Sequence, residues 1–379
     1  MLHFDPEEFA RRRALLDTAR AAAGLDALLL FAPESQYWLT GYDTFGFCFF
    51  QCLIVDDAGM VLLTRSADLR QAELTSTIRD IRVWKDSADA DPTADLAALL
   101  RDRGLLGKRL GAEFETQGLT AGTYRKLSAR LGPDLIDASA MIDRLRLKKS
   151  APEIACLREA ARLADLAYDA ALATIAPGAE EATVLAAMQG AILAEGGDYP
   201  GNPFIIGSGQ HALLCRYASG RRRLDAADQI TLEWAGGSRQ YHAAMMRTVV
   251  VGPPRPAHVA LHSAARDALL ACEARLTPGT TMGAVFAAHR DVLDGAGLAR
   301  HRLNACGYAM GASYAPCWMD RHMFYEGAPT VLEPGMAFFL HMILMDSDSG
   351  TAMSLGRSAL VTEGAAEVLS THSLDLPQR

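Results

Sequence analysis

The stretch QITLEWAGGSRQYHAAMMRTVVVG, residues 229–252, carries the clearest structural signal in the sequence. A strand-like run with Glu233 leads into a turn that contains glycine, and a second strand-like run carries His242 and Arg247. This pattern predicts an antiparallel β-hairpin. Because directly opposed residues on paired strands lie about 5 Å apart, we expect the hairpin to bring Glu233 close to His242. A surface hairpin with one exposed glutamate and one exposed histidine is the alternative that this segment alone leaves open.

The hairpin lies in a half of the chain that mixes long helical patterns with strand-like runs. Amphipathic stretches cover 183–195 and 257–275, and a strong helix is predicted to begin at Pro152. Further strand-like runs occur at 336–345 and 358–363. We therefore predict helices packed over a β-sheet, which is an α+β layer and not a strict parallel alternation.

In the first part of the chain, short apolar runs alternate with helical stretches. The runs at 27–32 and 60–65 are typical of strands, and the rhythm around them is that of an α/β domain. The basic stretch DRLRLKKS at 143–150 then leads into the strong helix. We place a domain boundary there, which gives an N-terminal domain over 1–143 and a C-terminal domain over 144–379.

Length and composition define the broad class of protein. The chain has 379 residues, 50% hydrophobic and 22% charged, which at about 150 residues per domain suffices for two globular domains. Its formal net charge of -8 argues against the broad basic face that nucleic acid or an anionic lipid surface requires. We predict a small-molecule partner, with no nucleic acid and no membrane.

Two features predict the cellular compartment. The chain has 7 cysteines without a CxxC pair, which indicates reduced thiols and neither a disulfide framework nor a cysteine metal site. The N-terminal MLHFDPEEFARRR carries charges where a signal peptide needs an apolar run, and the most apolar run, Met336 to Met345, covers about half of a membrane span. We therefore predict a cytoplasmic protein.

The segment ACGYAMGASYAPCWMD, residues 305–320, combines small residues with Tyr308 and Tyr314. Small residues allow the backbone to approach a ligand or another strand closely. The two tyrosines are polar groups that a binding site could use. A tightly packed loop is the alternative.

The segment VLEPGMAFFLHMILMDSD, residues 331–348, has Glu333 before a Pro-Gly turn and His341 inside the apolar run that follows. A histidine in so apolar a strand is more often a hydrogen-bonded core residue than a catalytic group. Both interpretations of His341 stay open at this point.

Together, these motifs and their order resemble the pita-bread family of methionine aminopeptidase, aminopeptidase P, prolidase and creatinase. The motifs are a hairpin ending in Arg-Thr, a Gly-Tyr-x-x-Gly loop, a Leu-Glu-Pro-Gly-Met turn and Leu-Val-Thr-Glu-Gly at 360–364. YWLTGYD at 37–43 resembles the N-terminal domain of creatinase and aminopeptidase P, and 144–165 resembles the linker and first catalytic helix. The resemblance implies an N-terminal creatinase-like α/β domain followed by a C-terminal pita-bread catalytic domain.

The resemblance also implies where metal ligands would lie. Metal-dependent members carry two aspartates, one histidine and two glutamates, and the matching positions here are Glu233, Ala244, Tyr308, Glu333 and Gly356. Only the two glutamates among these bind divalent metals well, and an alanine in place of a bridging acid cannot hold two ions together. We therefore expect no dinuclear metal site and no cofactor.

Within the family, creatinase hydrolyses a C–N bond without a metal, and ectoine hydrolase is the closer likeness. The shared features are Glu233 at the first ligand position, Tyr241-His242 after it, and a glycine loop that begins Gly-Tyr. Cys317 and Met319-Asp320 depart from the ectoine hydrolase pattern. The substrate implied is therefore a small amidine, guanidino or cyclic amide compound that need not be ectoine.

The charges predict a zwitterionic substrate. An amidinium or guanidinium group would lie between Glu233 and Glu333, and Arg216, which replaces a family histidine, would bind a carboxylate at the other end. Tyr241 and Tyr314 are predicted to line the substrate pocket.

Hydrolysis requires a base that activates water and an acid that protonates the leaving nitrogen. Histidine suits both roles because its unperturbed pKa is about 6.5, so we predict His242 as the first choice and His341 as the second. Tyr308 would donate a hydrogen bond to the tetrahedral centre, and Glu233 would orient His242 or the water.

Two other classes of function stay open. One is a metal-dependent Xaa-Pro peptidase whose ligands have moved, for example onto Asp346, Asp348 or His322. The other is a ligand-binding protein without catalytic activity. The resemblance further implies a homodimer in which the N-terminal domain borders the active site of the partner.

Overall fold

A computed structural model describes residues 2–132, 134–218 and 220–379. The chain divides into two compact units between Arg146 and Leu147, a few residues after the boundary predicted from the sequence. All 7 cysteines are free. Among the residues that the structure describes, no helix is both long enough and apolar enough to cross a lipid bilayer.

The N-terminal unit has the predicted α/β character, with a mixed sheet in the order β4-β3-β2-β1-β5-β6. Its strands are β1 (Ala27–Leu30), β2 (Cys52–Asp56), β3 (Gly59–Arg65), β4 (Asp80–Trp84), β5 (Leu110–Ala112) and β6 (Ile136–Asp137). Its helices are α1 (Pro6–Ala22), α2 (Pro33–Thr40), α3 (Leu69–Thr75), α4 (Pro92–Asp102), α5 (Ala121–Leu131) and α6 (Ser139–Leu147). Strands β1, β2 and β3 pair antiparallel, whereas β5 joins β1 and β4 joins β3 in parallel.

This sheet is buried on both faces. Leu28 and Leu53 belong to one hydrophobic core, whereas Leu29 and Ile54 belong to the other. Because successive side chains of a strand point to opposite faces, such strands have a continuous apolar sequence and no alternation.

The C-terminal unit packs helices on a sheet in the order β11-β10-β12-β13-β9-β8-β7, with β14 beside β13. The helices are α7 (Ala151–Thr174), α8 (Glu181–Ala194), α9 (Pro256–Glu273) and α10 (Met282–Gly295). The strands are β7 (Ile205–Ser208), β8 (Asp228–Ser238), β9 (Tyr241–Val251), β10 (Ala305–Ala309), β11 (Met323–Tyr325), β12 (Ala337–Asp346), β13 (Thr351–Leu360) and β14 (Glu367–Val368). The described strand pairs of this sheet are antiparallel, so the predicted α+β layer is confirmed.

The predicted hairpin forms, but its register differs from the expected one. Pairing Glu233 with His242 would require the turn at Gly237 and Ser238, whereas the structure turns at Arg239 and Gln240, with φ of 52° and 66°. Two positive φ values suit the twist of a two-residue hairpin.

As a result, the predicted proximity of Glu233 and His242 is wrong. Glu233 lies opposite Met246, and His242 lies opposite Gly237. Four residues along a strand correspond to about 13 Å. Gly236 remains in the strand because helix α7 packs against it, with Ala160 O only 2.0 Å from the position that a Cβ would take.

Candidate active site

The candidate active site is a row of side chains across one face of the C-terminal sheet. Strand pairing places Glu233 of β8, Met246 of β9, Gly356 of β13 and His341 of β12 side by side. Directly paired residues of antiparallel strands project to the same face. The alternate residues of β12, such as Leu340, point the other way and belong to the hydrophobic core with residues of α9 and α10. The row is therefore the face of the sheet opposite the helices.

The position of Tyr308 on β10 shows that this face of the sheet is concave. Strand β10 is four strands away from β8, which on a flat sheet would be about 19 Å. Yet Tyr308 Oη donates a hydrogen bond to Glu233 Oε1 at 3.3 Å. A tyrosine side chain cannot span the flat distance, so the sheet curves and brings side chains from its two halves together.

Glu233 is the buried acid of the site, with 8% of its surface exposed. Burial raises the pKa of Glu233 to about 7, against the opposing effects of the Arg216 charge and the Tyr308 hydrogen bond. Among the residues that the structure describes, the Tyr308 bond to Oε1 is the one hydrogen bond of this carboxyl group, and Oε2 has none. A carboxyl group that titrates near neutrality and keeps one oxygen open can exchange a proton with a bound ligand or water.

His341 lies in the same row, and its buried imidazole ring is neutral. Burial, followed by the charges of His289 and Arg216, lowers the pKa of His341 to about 3. Its Nδ1 atom has no partner within the described part of the chain. The ring centroids of Tyr308 and Phe339 lie 5.8 Å and 5.6 Å away. His341 is therefore not a histidine whose ring is fully hydrogen-bonded in the core.

Arg216 lies in the exposed loop between β7 and β8. Its positive charge opposes the rise in the pKa values of Glu233 and Cys317, which burial causes. Within residues 2–132, 134–218 and 220–379, no carboxylate forms an ion pair with Arg216. The guanidinium group is thus near the buried acid and available for an anionic ligand, and its predicted role in carboxylate binding stays a prediction.

His242 occupies a different position from the one predicted for the base. It is fully buried, and its Nε2 accepts a hydrogen bond from the backbone N–H of Gly201 at 3.0 Å. Burial lowers the pKa of His242 to about 4, against the opposing charge of Asp198. In the neutral ring, Nδ1 then carries the proton, and although Nδ1 has no hydrogen-bond partner among the described residues, it has no lone pair with which to accept a proton from water. The geometry thus gives His242 the structural task of holding the loop at Gly201 to the hairpin.

Tyr241 also differs from its predicted place in the substrate pocket. It is buried and points to the face opposite His242, where its Oη donates to Glu153 Oε1 at 2.7 Å. Glu153 lies in the first turn of α7, so Tyr241 fastens the hairpin to that helix. Tyr314 is partly exposed in the loop after β10, and its substrate contact stays a prediction.

Glu333 does not belong to the row. It lies on the turn before β12, 42% exposed, and its Oε2 is 3.4 Å from Lys148 Nζ. A charged neighbour of Glu333 is therefore a lysine from the segment just before α7, which pairs with this turn region. The polar side chain that the register of β12 aligns with Glu233 is His341, so the expected cation site between Glu233 and Glu333 does not form in this structure.

The residues present do not fit the dinuclear metal site that the family resemblance implies. Ala244 and Gly356 offer no side-chain donor, and Tyr308 binds Glu233 in place of a metal. At Gly356, even a Cβ atom would lie 2.6 Å from Leu340 O and 2.9 Å from the Phe339 ring. Phe339 therefore fills the space that a carboxylate at 356 would need, and two divalent ions lack the oxygen ligands they require.

A group of possible metal ligands occurs elsewhere among the described residues. His301, Asp346 and Asp348 each place one ligand atom within 4.8 Å of the others, at the turn between β12 and β13. Arg300 forms an ion pair with Asp348 there. The third residue suggested from the sequence, His322, is outside this group and has its Nδ1 3.4 Å from Thr330 Oγ1. The group lies outside the row that contains Glu233.

Sequence reasoning missed two residues that shape the site, Phe339 and Trp318. Trp318 Nε1 donates a hydrogen bond to Tyr308 Oη at 2.9 Å. Both residues looked like ordinary core aromatics in the sequence. A signal for Trp318 was its place in the segment 305–320, which the sequence already indicated through Tyr308 and Tyr314.

Fold and site together define a hydrolase or peptidase built on a pita-bread catalytic domain, and comparison with known families agrees. Residues 155–363 match the model of metallopeptidase family M24. Residues 12–148 match the creatinase/prolidase N-terminal domain. The chain therefore belongs to family M24, and both predicted domains are confirmed by type.

Individual relatives divide between two activities. The ectoine hydrolase of Halomonas elongata is 29% identical over 97% of this chain and 96% of its own length. The probable dipeptidase PepE of Mycobacterium bovis is 31% identical over 88% of this chain and 87% of its own. In structure, dipeptidase PepE from Mycobacterium ulcerans is similar with a TM-score of 0.86 and 26% identity, covering 99% of each chain.

Proposed function

We propose that the protein hydrolyses a C–N bond in a small zwitterionic amidine, guanidino or cyclic amide compound, and that it does so without a metal. The observation that carries this proposal is that protein side chains fill the place where the metal ligands of the family would lie. Phe339 packs against Gly356, and Tyr308 is hydrogen-bonded to Glu233. The similarity to an ectoine hydrolase supports the reaction class.

The charges of the site support a zwitterionic substrate. A cationic amidinium or guanidinium group beside Glu233 would favour the ionised carboxylate and form charge-assisted hydrogen bonds with Oε2. The Arg216 guanidinium, exposed and without an ion pair among the described residues, would bind a carboxylate at the other end. The site thus provides one negative and one positive group for a ligand that carries both charges.

In the proposed reaction, Glu233 is the base in place of His242. Ionised Glu233 removes a proton through Oε2 as water attacks the substrate carbon, and a C–O bond forms. When the C–N bond breaks, Glu233 returns that proton to the leaving nitrogen. His341, neutral because its pKa is lowered to about 3, orients the water or the substrate. A well-placed acid and base of this kind contributes roughly 10²–10⁴-fold to the rate.

A second candidate function is a metal-dependent dipeptidase, which the similarity to PepE favours. This function requires a metal held by residues other than the row, such as His301, Asp346 and Asp348. The two functions therefore differ in metal content as well as in substrate.

The deciding experiment assays chelator-free protein on a panel of ectoine, creatine, related cyclic amidines, small guanidino acids and Xaa-Pro dipeptides. Each compound is tested with and without added manganese, and metal content is measured on the same sample. We expect turnover of an amidine, guanidino or cyclic amide compound that neither chelator nor manganese changes. Stoichiometric manganese, cobalt, zinc or iron that is required for dipeptide cleavage would establish the peptidase instead.

A matched assay separates catalysis from simple binding. A compound that raises the melting temperature of the protein but yields no product would indicate a binding protein. The variant Glu233→Gln serves as the control, because it should still fold and should lose turnover.

A further inference from the structure

A chain of two hydrogen bonds connects Trp318 to the proposed base. Trp318 Nε1 lies 2.9 Å from Tyr308 Oη, which lies 3.3 Å from Glu233 Oε1. Trp318 and Tyr308 are 1% and 2% exposed, so bulk water does not compete for these bonds. The proposed function uses Glu233 and leaves the purpose of Trp318 open.

The chemistry of the three groups fixes the direction of both bonds. An indole N–H is a donor and has no acceptor atom, so Trp318 must donate to Tyr308. The tyrosine oxygen is then an acceptor toward Trp318, and its own O–H is directed to Glu233 Oε1. A hydroxyl that accepts one hydrogen bond also becomes a better donor in the next. Trp318 therefore strengthens the bond that Tyr308 makes to the Glu233 carboxylate.

Loop contacts hold Trp318 in this orientation. Its backbone N–H donates to Asn202 Oδ1 at 3.2 Å. The backbone of Gly201 approaches so closely that a Cβ there would lie 2.9 Å from Trp318 N. The Phe204 ring lies 6.4 Å from the indole between ring centroids. These contacts come from the loop before β7, so the indole is oriented independently of a ligand.

We propose that Trp318 is a positioning residue that holds the Tyr308 hydroxyl proton on Glu233 Oε1 and so keeps Oε2 as the atom that reacts. The inference rests on the proposed function where it assigns the base to Glu233. Without the indole N–H, Tyr308 could turn and accept the proton of a neutral Glu233. The neutral acid would then be stabilised, and Glu233 would ionise at higher pH.

The test is a double-mutant cycle with Trp318→Phe and Tyr308→Phe, read by the ionisation of Glu233. Difference infrared spectra across a pH titration identify the Glu233 carboxyl band as the one missing in Glu233→Gln. We expect Trp318→Phe to raise the apparent pKa of Glu233 by about half a pH unit, as the weakening of one hydrogen bond would do. In the Tyr308→Phe background, the second substitution should have no further effect.

Two further variants test whether a change in the Glu233 titration is due to loss of the Trp318 N–H. Trp84→Phe also removes an indole N–H, which donates to Phe50 O at 2.9 Å, and should leave the Glu233 titration unchanged. If Trp318→Phe does not fold, benzothienylalanine at position 318 retains the indole shape without the N–H. An unchanged titration in the Trp318 variant, or an equal change with and without Tyr308, would overturn the proposal.

The infrared titration needs no substrate. An enzyme that turns over none of the panel compounds would therefore contradict the proposed function, whereas the titration would still decide on Trp318. When a substrate is available, the rise of kcat/KM with pH should move upward together with the infrared titration.

Discussion

Glu233 and His242 lie on the same face of one hairpin and are both buried, yet their surroundings differ in one respect that matters for chemistry. Burial moves the pKa of each group toward its neutral form, to about 7 for Glu233 and about 4 for His242. Glu233 keeps Oε2 open, whereas the Nε2 of His242 already accepts the Gly201 N–H. A shifted pKa therefore reports burial. The two groups differ in their lone pairs: Glu233 keeps an open acceptor oxygen, whereas the single ring lone pair of neutral His242 is used by Gly201 and its Nδ1, which has no partner among the described residues, can only donate.

The largest effect that this comparison predicts is on turnover at Glu233. We expect Glu233→Gln to lower kcat roughly 10²–10⁴-fold, because the amide cannot accept a proton from water. Steady-state kinetics on the panel substrate measure the loss. His242→Gln is the matched control, since it keeps a hydrogen-bond acceptor on the same face. Equal losses in the two variants would remove the distinction between the two ends of the hairpin.

The pH dependence of the free energy of unfolding tests whether the pKa of buried Glu233 is raised. Because the pKa of Glu233 is raised from its ordinary value of 4.5 to about 7 in the folded protein, the unfolded chain loses this proton first as pH rises. The folded state then binds more protons than the unfolded state, and stability falls between about pH 4.5 and pH 7. The full difference is about 3 kcal/mol.

Urea unfolding of wild type and Glu233→Gln across this pH range tests that sign. The decline assigned to Glu233 should be present in wild type and missing in the variant. A difference between the two proteins that does not change with pH would show that Glu233 has an ordinary pKa.

Arg216 is expected to affect binding more than chemistry. Arg216→Ala should raise KM about 10- to 100-fold, the range of a lost hydrogen bond to a charged group, with a smaller change in kcat. Arg221→Ala is the matched control because it removes an exposed arginine from the same loop. An equal effect of both variants would point to general charge attraction and not to a specific carboxylate contact.

The smallest effect on turnover is expected at His242. His242→Ala leaves the buried N–H of Gly201 without its acceptor and should cost about 1–3 kcal/mol of stability. The value of kcat should change only a few-fold if the variant is assayed where it is folded. Urea unfolding together with kinetics separates the two effects. A loss of kcat as large as that of Glu233→Gln would restore His242 as the base.

The turn of the hairpin explains why the sequence indicated the wrong pair. AGGSRQYH offers glycines where a tight turn would use them, and a turn at Gly237 and Ser238 would align Glu233 with His242. The close approach of Ala160 O to Gly236 keeps these glycines in the strand instead. That contact involves a helix far away in the chain, so no local pattern reports it.

The predicted cation site between Glu233 and Glu333 was wrong for a similar reason. Glu333 and His341 lie in one segment, and the motif alone favoured the glutamate as the polar group of the site. Strand register aligns His341 with Gly356 and leaves Glu333 on the turn beside Lys148. The homodimer and the cytoplasmic location stay predictions, which sedimentation equilibrium and cell fractionation would test.

The two-domain α+β fold, the family and the absence of side-chain donors at Ala244 and Gly356 could be read from the amino-acid sequence, because periodicity, turn motifs and residue types are local properties. Which polar groups meet depends on the packing of the whole catalytic domain. The Tyr308 bond to Glu233 crosses four strand spacings of a curved sheet, and the Phe339 ring fills the space beside Gly356. Both depend on register and curvature, which arise from the packing of distant segments and are not encoded in any one stretch of sequence.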